Sequence, residues 1–400
     1  MIPKGLTRPR RSRRLRFENT LEILYDVAPW ETLEVRYRAV AGSTVDKNLS
    51  ALRDRIDEID DTILGLLNRR ASIVAEVGRV KSRNQTQVYA PQREQEILAR
   101  LQRENPGPFP NEGVRAVFRE IMSASLALEQ PLKVAYLGPP GTFTHVACLK
   151  QFGASAAAIA VNGIKDVFSE VERGRADYGV VPIENSTEGV VTHTLDLLVD
   201  SQLKIAGEIV QEIALYLMSR SGVLADVKRI YSHPQPLAQC RGWLAQHVPN
   251  IPVVEVSSTS RAAEMCRDEP EAAAIASEVA ARLYGLTVIQ KRIEDNPNNT
   301  TRFLVIAASS PERTGRDKTS VMVSVKDRVG ALYDMLKPFS EYGLNLTKIE
   351  SRPSKRKTWE YLFFVDVGGH ADDPPVKAAL DALGPNCQVL KVLGSYPASG

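Results

Sequence analysis

Cysteine is scarce in this sequence, and neither cysteine nor histidine follows the spacing of a metal or redox site. The 400 residues include five histidines without paired ligand spacing and four scattered cysteines, Cys148, Cys240, Cys266 and Cys387. Scattered cysteines of this kind are typical of reduced thiols that serve in packing. We therefore expect a cytoplasmic protein that holds no metal and needs no cofactor.

Long apolar runs and nucleotide-binding fingerprints are also missing. No run could span a bilayer, and the N-terminus lacks the apolar core of a secretion signal. Residues 138–144 superficially resemble a phosphate loop but lack its Gly-Lys-Ser/Thr ending, and no dinucleotide fingerprint occurs. A net charge of +3 indicates no particular class of partner. We expect binding to neither membrane nor nucleic acid.

Acidic residues are absent before Glu18, whereas six arginines occur there. Such a run is usually solvated and unstructured. No aromatic interleaving supports a nucleic-acid arm, and the acidic residues from Glu18 onward argue against a transit peptide. We expect residues 1–46 to form a disordered basic extension, to which we assign no function.

A long helix with a coiled-coil-like seam is predicted from Leu49 onward. A chain of this length favours two or three domains. The first of these domains begins with the long helix, which is indicated by apolar residues at alternating spacings of three and four. Arg70 occupies the seam itself, and Arg53 and Lys81 approach the same face. These cations either extend to solvent at a packing edge or bind an anion. Because this helix and two shorter ones bury themselves poorly in a monomer, we expect a homodimer or a higher oligomer.

Short apolar strands alternate with helices between residues 133 and 308, which predicts an α/β domain with its site in the loops at strand ends. The predicted strands are 134–137, 156–161, 178–183, 205–217, 229–232, 273–276 and 303–307. The predicted site loops are 138–144, 184–189 and 232–236. From residue 318 the order strand, helix, strand, strand, helix, strand predicts a ferredoxin-like βαββαβ domain.

The polar turn at residues 295–303 runs directly into an apolar strand. Alternate residues of a strand share a face, so Thr301 and Phe303 should point together and Arg302 the other way. A hydroxyl donor beside an aromatic wall suits a small ring-shaped substrate. The alternative is an ordinary strand start.

Several motifs in one order resemble a known family, the bifunctional chorismate mutase/prephenate dehydratases, over roughly residues 47–397. They comprise residues 52–57 and 69–81, the loop 138–143, the block 180–186, residues 232–240, Thr301-Arg302-Phe303 and the tail segments 330–332 and 350–353. The resemblance implies an all-α mutase domain (47–131), a two-lobed α/β dehydratase domain (132–310) and a βαββαβ ACT regulatory domain (318–397). The implied reactions convert chorismate to prephenate, and prephenate to phenylpyruvate with loss of water and CO2.

For the mutase the resemblance implies seven site residues. They are Arg53, contributed by the partner chain, with Arg70, Lys81, Arg93, Glu94, Ser125 and Glu129. Lys81 and Glu129 are implied at the ether oxygen that develops charge, and the guanidinium forks hold the carboxylates of chorismate. Two positions depart from the family: Ala90 replaces a common Asp, and Glu129 replaces a common Gln. A carboxyl donates to an ether oxygen only when protonated, whereas an amide donates at any pH.

For the dehydratase the resemblance implies Thr301 as the essential residue, which assists departure of the ring hydroxyl. The residues implied to orient the substrate are Thr142, Asn185, Ser232 and Gln239. Phe143 and Phe303 are either walls of the pocket or core residues. Phenylalanine is implied as an allosteric inhibitor bound by Gly330, Ala331, Leu332, Glu350, Ser351, Arg352 and Pro353 of the ACT domain.

Two other interpretations remain open from the sequence. One is a monofunctional dehydratase whose helices serve only in dimerisation, which the departures at Ala90 and Glu129 keep open. The other is a non-catalytic amino-acid sensor. Thr301 and the cations of the seam argue against the sensor, since it has no use for a second anion pocket.

Overall fold

The computed structural model describes residues 42–83, 91–129, 131–325, 328–354 and 360–398. The helices are α1 Gly42–Arg83, α2 Pro91–Glu104, α3 Asn111–Glu129, α4 Phe143–Phe152, α5 Ile164–Glu172, α6 Thr192–Asp200, α7 Pro234–Gln239, α8 Arg241–His247, α9 Thr259–Asp268, α10 Glu278–Tyr284, α11 Ala331–Glu341 and α12 Pro374–Leu383. The strands are β1 Lys133–Leu137, β2 Ala157–Val161, β3 Tyr178–Asn185, β4 Gly189–Val190, β5 Lys204–Glu212, β6 Tyr216–Ser219, β7 Arg229–Ser232, β8 Val253–Glu255, β9 Ala272–Ala276, β10 Thr287–Gln290, β11 Thr300–Ala307, β12 Asp317–Val325, β13 Leu346–Pro353, β14 Tyr361–Gly368 and β15 Cys387–Pro397.

The first of two compact units comprises residues 1–70. Its described part is the start of α1, which begins at Gly42, before the predicted start at Leu49. A disordered extension was expected at residues 1–46. Residues 1–41 lie outside the described part of the chain, and residues 42–46 belong to α1. The apolar seam of α1 is exposed by 46–59% at Leu49, Leu52, Ile56, Ile59, Ile63 and Leu66. An exposed stripe of this length is a surface that a partner normally covers.

The second unit, residues 71–400, contains the remaining helices and all described strands. Here α2 and α3 pack together, and Leu98 and Met122 are buried. The helix α3 also meets the α/β domain closely at Gly153, where an added Cβ would lie 2.5 Å from the Cβ of Ser123. No helix in the described part of the chain is both long and apolar enough to cross a membrane.

The α/β domain has two lobes, each built on its own sheet. The first sheet has the order β2-β1-β3-β11-β5 with β4 paired to β3, and the second has the order β10-β6-β9-β7-β8. The chain leaves the first lobe after β5 and returns through residues 291–299 to β11. The single strand predicted at 205–217 is therefore two strands, because the chain crosses between the lobes at residues 213–215. Ile213 and Leu215 in this crossing are buried in the core of the second lobe.

Strand β11 lies between β3 and β5 and is antiparallel to both. Phe303 and Val305 point into one core of the first lobe, whereas Leu304 and Ile306 point into the other. This alternation is the one predicted for the strand, and Phe303 is a buried core residue.

The C-terminal domain has the predicted βαββαβ order, with an antiparallel sheet ordered β13-β14-β12-β15. One face of this sheet packs on α11 and α12. The other face contributes Met322, Phe364 and Leu393 to the same core as Leu304 and Ile306 of the first lobe. This shared core was not predicted from the sequence.

The backbones of the two domains also approach closely. A Cβ added at Gly394 in β15 would lie 2.2 Å from the carbonyl oxygen of Ile205 in β5. Only glycine permits such an approach, since any side chain would displace one strand from the other. The C-terminal domain is thus docked on the first lobe.

Candidate active site

A chain of amide side chains leads to Thr301 at the junction of the two lobes. The Nδ2 of Asn185 donates to the Oγ1 of Thr301 and to the Oδ1 of Asn299, each at 2.9 Å. The Nδ2 of Asn299 in turn donates to the Oε1 of Gln239 at 3.0 Å. Of the predicted dehydratase residues, the structure therefore brings together Asn185, Gln239 and Thr301.

The orientation of the Asn185 amide follows from its other contacts. Its Oδ1 accepts the backbone N–H groups of Thr187 at 2.9 Å and Glu188 at 3.0 Å. Because a backbone N–H can only donate, the oxygen must face these groups and Nδ2 must face Thr301. Thr301 therefore accepts a hydrogen bond from Asn185, and this bond leaves its own hydroxyl hydrogen available for donation.

The amide cluster is deeply buried and carries no formal charge. The exposed fractions are 7% for Asn185, 1% for Asn299 and 9% for Thr301. Burial of amide groups is costly unless they are hydrogen-bonded, and here each amide is bonded to the next. The cluster is therefore rigid, and Thr301 is held in one orientation.

A β-bulge directs Asn185 toward the site. Glu184 pairs with Arg302 and Pro182 pairs with Phe303, which leaves Ile183 as an extra residue in β3. An extra residue reverses the alternation of the strand beyond it. Asn185 therefore lies on the face of Thr301, and Glu184 lies on the opposite face with Arg302.

The crossing segment that precedes β11 fixes the position of Gln239. Asp295 accepts the backbone N–H groups of Gly242 at 2.8 Å and Trp243 at 2.9 Å, at the start of α8. Its own N–H donates to the backbone oxygen of Gln239 at 2.8 Å. The polar turn predicted at 295–303 thus ties α7 and α8 to the strand that bears Thr301.

The loop 138–144 closes one side of the junction. Thr142 caps α4, donating to the oxygen of Leu137 at 3.2 Å and accepting the N–H of His145 at 3.4 Å. In the second lobe, Ser277 donates to the oxygen of Gly141 at 2.7 Å, and Ser260 donates to that of Pro140. The loop therefore joins the two lobes.

The remaining predicted dehydratase residues have other contacts. Ser232 is fully buried and donates to the backbone oxygen of Ile275 at 2.7 Å. Phe143 packs against cores of both lobes. Sequence reasoning missed Asn299, although it lies in the polar turn that was singled out. No pattern distinguished it from Asn296 and Asn298 beside it.

The residues implied for the mutase lie on three helices. In the first unit, Arg53 is exposed and Arg70 is half-buried, and burial lowers the pKa of the Arg70 guanidinium. In the second unit, Arg93 is exposed and pairs with Glu96 at 3.1 Å. Ser125 is buried and donates to the oxygen of Ile121 at 2.6 Å.

Glu94 is half-buried and lines a small cavity with Arg119 and Ser123. The side chains of Lys81 and Glu129, and the whole of Ala90, lie outside the described residues.

The residues implied for phenylalanine lie at two places in the C-terminal domain. Gly330 has φ of 81° and directly precedes α11, whose first residues are Ala331 and Leu332. The second group, Glu350, Ser351, Arg352 and Pro353, ends the edge strand β13. Arg352 pairs with Asp196 of α6 at 3.1 Å, and its Nε is buried without a hydrogen-bond partner in the described part of the chain.

The fold divides the chain into helices, a two-lobed α/β domain that carries the amide cluster, and a βαββαβ domain docked on the first lobe. Comparison with family models agrees with this division. Prephenate dehydratase matches residues 134–311, chorismate mutase type II matches 52–130, and the ACT domain matches 319–385.

Similar proteins cover nearly the whole chain. A bifunctional chorismate mutase/prephenate dehydratase of Aquifex aeolicus is 50% identical over 355 residues, covering 88% of this chain and 98% of the relative. One from Stutzerimonas stutzeri is 47% identical over 355 residues, covering 87% and 97%. The crystal structure of a prephenate dehydratase from Arthrobacter aurescens in complex with L-Phe is 40% identical with a TM-score of 0.61, covering 66% of this chain and 89% of that one.

The chain belongs to the bifunctional chorismate mutase/prephenate dehydratases that carry an ACT regulatory domain. The predicted fold class and the predicted pair of enzymatic domains are confirmed. The bifunctional enzyme is favoured over both alternatives, the monofunctional dehydratase and the amino-acid sensor.

Proposed function

We propose that this chain converts chorismate to prephenate in a helical domain at residues 47–131, and prephenate to phenylpyruvate in a domain at residues 132–310. The observation that carries the second reaction is the orientation of Thr301. Asn185 donates to its oxygen, so the hydroxyl hydrogen is available for a substrate oxygen. The four free cysteines of the chain fit a cytoplasmic location.

In the dehydration, the bond between the ring and its carboxylate breaks and releases CO2. The electron pair of that bond enters the ring, and the bond from the ring to its hydroxyl oxygen breaks on the opposite side. Thr301 donates a hydrogen bond to the departing oxygen, which takes the electron pair of its bond to the ring and a proton from solvent and leaves as water. Donation from Asn185 polarises the hydroxyl of Thr301 and strengthens this bond. A threonine is a weak acid, so its role is charge stabilisation.

Gln239 and Asn299 support this donor by holding Asn185 in place. Thr142 and Ser232 are proposed to orient the substrate, Thr142 through the loop that joins the lobes. Ser232 is the less direct candidate, because its hydroxyl is bonded to Ile275.

The mutase reaction is a unimolecular rearrangement and needs no nucleophile. We assign binding of the two chorismate carboxylates to Arg70 and Arg93 of one subunit and to Arg53 of the partner subunit, since guanidinium forks suit carboxylates. Lys81 and Glu129 are assigned to the ether oxygen. Glu94 and Ser125 complete the proposed site. The enzyme accelerates the reaction by holding the compact substrate conformer and stabilising the developing charge.

The exposed seam of α1 supports a homodimer built on this helix. From Leu49 to Leu66 the stripe is about 25 Å long, from a rise of 1.5 Å per residue. An apolar stripe on one face of a long helix is the usual surface for pairing with other helices. A second copy of the chain would cover it and supply the partner's Arg53.

Replacing Ile59 with aspartate should dissociate this dimer, because a buried unpaired carboxylate weakens an apolar interface. We expect a lower mass by light scattering at micromolar concentration and a loss of mutase activity of at least about tenfold, from 1.4 kcal/mol or more of lost interaction. The matched control is Ser50→Asp, which adds the same charge on the other side of α1. An unchanged mass and unchanged mutase activity in Ile59→Asp would disprove the proposed interface.

Phenylalanine is proposed to bind the ACT domain at residues 318–397. The first turn of α11 after Gly330 offers backbone N–H groups to a carboxylate. Glu350, Ser351, Arg352 and Pro353 form the second part of the proposed site, and Glu350 can accept the amino group. The complex of a relative with L-Phe supports this ligand.

Two separate assays test the proposed function. The purified chain is given chorismate in one and prephenate in the other, and each product is followed by its absorbance. Turnover of both substrates is expected. Turnover of prephenate alone would leave a dehydratase with a helical dimerisation region, and binding of phenylalanine without any turnover would leave a sensor.

A further inference from the structure

Two charged side chains lie directly behind the amide cluster. Glu184 precedes Asn185 in β3, and Arg302 follows Thr301 in β11. The two strands pair Glu184 with Arg302 and Asn185 with Thr301. Arg302 points away from the site toward the ACT domain by the alternation of β11, and the bulge in β3 places Glu184 on the same side.

Arg302 is held in a buried network of charges. Its Nε donates to Glu208 at 2.7 Å, and its Nη2 donates to Asp366 at 2.7 Å and to the hydroxyl of Tyr396 at 3.1 Å. Burial opposes the charge of Arg302, but Asp366 and Tyr396 outweigh it, and the pKa of the guanidinium lies above its ordinary value. Lys318 pairs with the same Glu208 at 2.8 Å. Asp366, Tyr396 and Lys318 all belong to the ACT domain.

Glu184 forms a second link to the same domain. Its carboxylate pairs with Lys348 of β13. The Lys348 side chain is only 15% exposed, and that of Glu184 is 38% exposed. Strand β13 is also the strand that ends in the proposed phenylalanine segment at residues 350–353. Strand β13 of the ACT domain thus contains the proposed effector segment and also contacts Glu184, the residue beside Asn185.

We propose that Glu184 and Arg302 are positioning residues for the dehydration, and that the ACT domain holds them. The Lys348–Glu184 and Asp366–Arg302 pairs fix the ends of β3 and β11 from behind. This keeps Asn185 and Thr301 at hydrogen-bonding distance. The inference rests on the proposed function of Thr301 and adds a route by which the ACT domain acts on it.

The bulge explains why such anchors are needed. Between Arg302 and Phe303 the pairing with β3 shifts register, so Thr301 and Asn185 are paired beyond an interruption of the ladder. They are also the last pair before the polar turn. Strand β11 stays paired with β5 through Thr300, Thr301 and Arg302, so the bulge disturbs only the ladder between β3 and β11. The charged side chains anchored in the ACT domain add a restraint on the relative position of these two strands.

The Lys348–Glu184 pair allows the cleaner test, because Lys348 lies outside the dehydratase domain. Lys348→Gln should lower kcat for prephenate about tenfold, with KM changed less than twofold, because a misplaced donor affects the transition state more than binding. Mutase activity and the melting curve should stay near those of the wild type. Lys348→Arg, which keeps the charge, should restore most of the lost kcat.

A double-mutant cycle distinguishes positioning from general stability. Glu184→Gln should lower kcat to a similar extent, and the double variant should be no slower than either single variant. The matched control is Asp196→Asn. Asp196 is also a carboxylate of the first lobe that pairs with β13, through Arg352 at 3.1 Å. It lies in α6, however, and not in a strand that carries Asn185 or Thr301. Asp196→Asn is expected to keep kcat within twofold of the wild type.

Three results would overturn the inference. The first is a wild-type kcat in Lys348→Gln, and the second is an equal loss of kcat in Asp196→Asn. The third is additive losses in the double variant. A wild-type chain that does not turn over prephenate would instead overturn the proposed function, and this inference with it.

Discussion

Replacing Thr301 with alanine is expected to lower kcat for prephenate dehydration by about 10² to 10³-fold, the range for removal of one hydrogen-bond donor that stabilises charge in the transition state. The substitution removes the hydroxyl that Asn185 polarises, and the buried amide loses its acceptor at 2.9 Å. Water replaces the hydroxyl poorly, because Thr301 is only 9% exposed. The mutase reaction should stay within a few-fold of the wild type, since the two sites are proposed in different domains.

Two companion variants make this result specific. Thr301→Ser keeps the hydroxyl and should recover most of the activity. Thr300→Ala changes the preceding residue of the same strand and should leave kcat near that of the wild type. Equal loss of both activities in a folded Thr301→Ala protein would contradict the assignment of two separate sites.

Replacing Asn185 with aspartate is expected to lower dehydratase kcat by about 10 to 100-fold at neutral pH, which corresponds to the loss of a hydrogen bond near a charge. The new carboxylate keeps the acceptor for Thr187 and Glu188 but cannot donate to Thr301 or Asn299. Its negative charge also faces the Oδ1 of Asn299. The local backbone should therefore survive while the orientation of Thr301 is lost.

The same variant should show a characteristic pH dependence. A protonated carboxyl can donate, so the activity of Asn185→Asp relative to the wild type should rise as the pH is lowered. The control Asn298→Asp places the same substitution at an exposed position in the neighbouring turn and should not alter the profile. Parallel pH profiles for Asn185→Asp and the wild type would mean that the donor from Asn185 does not contribute to the reaction.

Local features of the site could be predicted from the sequence because they follow from the period of a strand. Thr301 and Phe303 were expected on one face of β11 and Arg302 on the other, and the contacts agree. The partner of Arg302 could not be predicted, because Asp366 lies 64 residues away in another domain. The bulge at Ile183 could not be predicted from the sequence either, since it depends on the pairing of β3 with β11.

Apolar runs predicted the strand boundaries poorly where the chain passes between the lobes. Residues 205–217 were predicted as one strand because most of them are apolar, yet they divide between two sheets. Ser232 is predicted to orient the substrate, and its buried hydroxyl donates to the backbone oxygen of Ile275. A hydroxyl at the end of a strand looks the same in sequence whether it faces a cleft or the core.

The core shared by the ACT domain and the first lobe changes how regulation can be studied. Deleting the ACT domain would remove part of the core that contains Leu304 and Ile306 and would leave Arg302 without Asp366. Removal of one partner from a buried ion pair is strongly destabilising. Single substitutions such as Lys348→Gln therefore probe the link between the domains more cleanly than truncation.

The most direct test of the account is a time course with chorismate as the only substrate, run with the wild type and with Thr301→Ala. We expect the wild type to convert chorismate through prephenate to phenylpyruvate. We expect Thr301→Ala to consume chorismate at a similar rate but to accumulate prephenate. Formation of phenylpyruvate by Thr301→Ala at the wild-type rate, or failure of the wild type to consume chorismate, would contradict it.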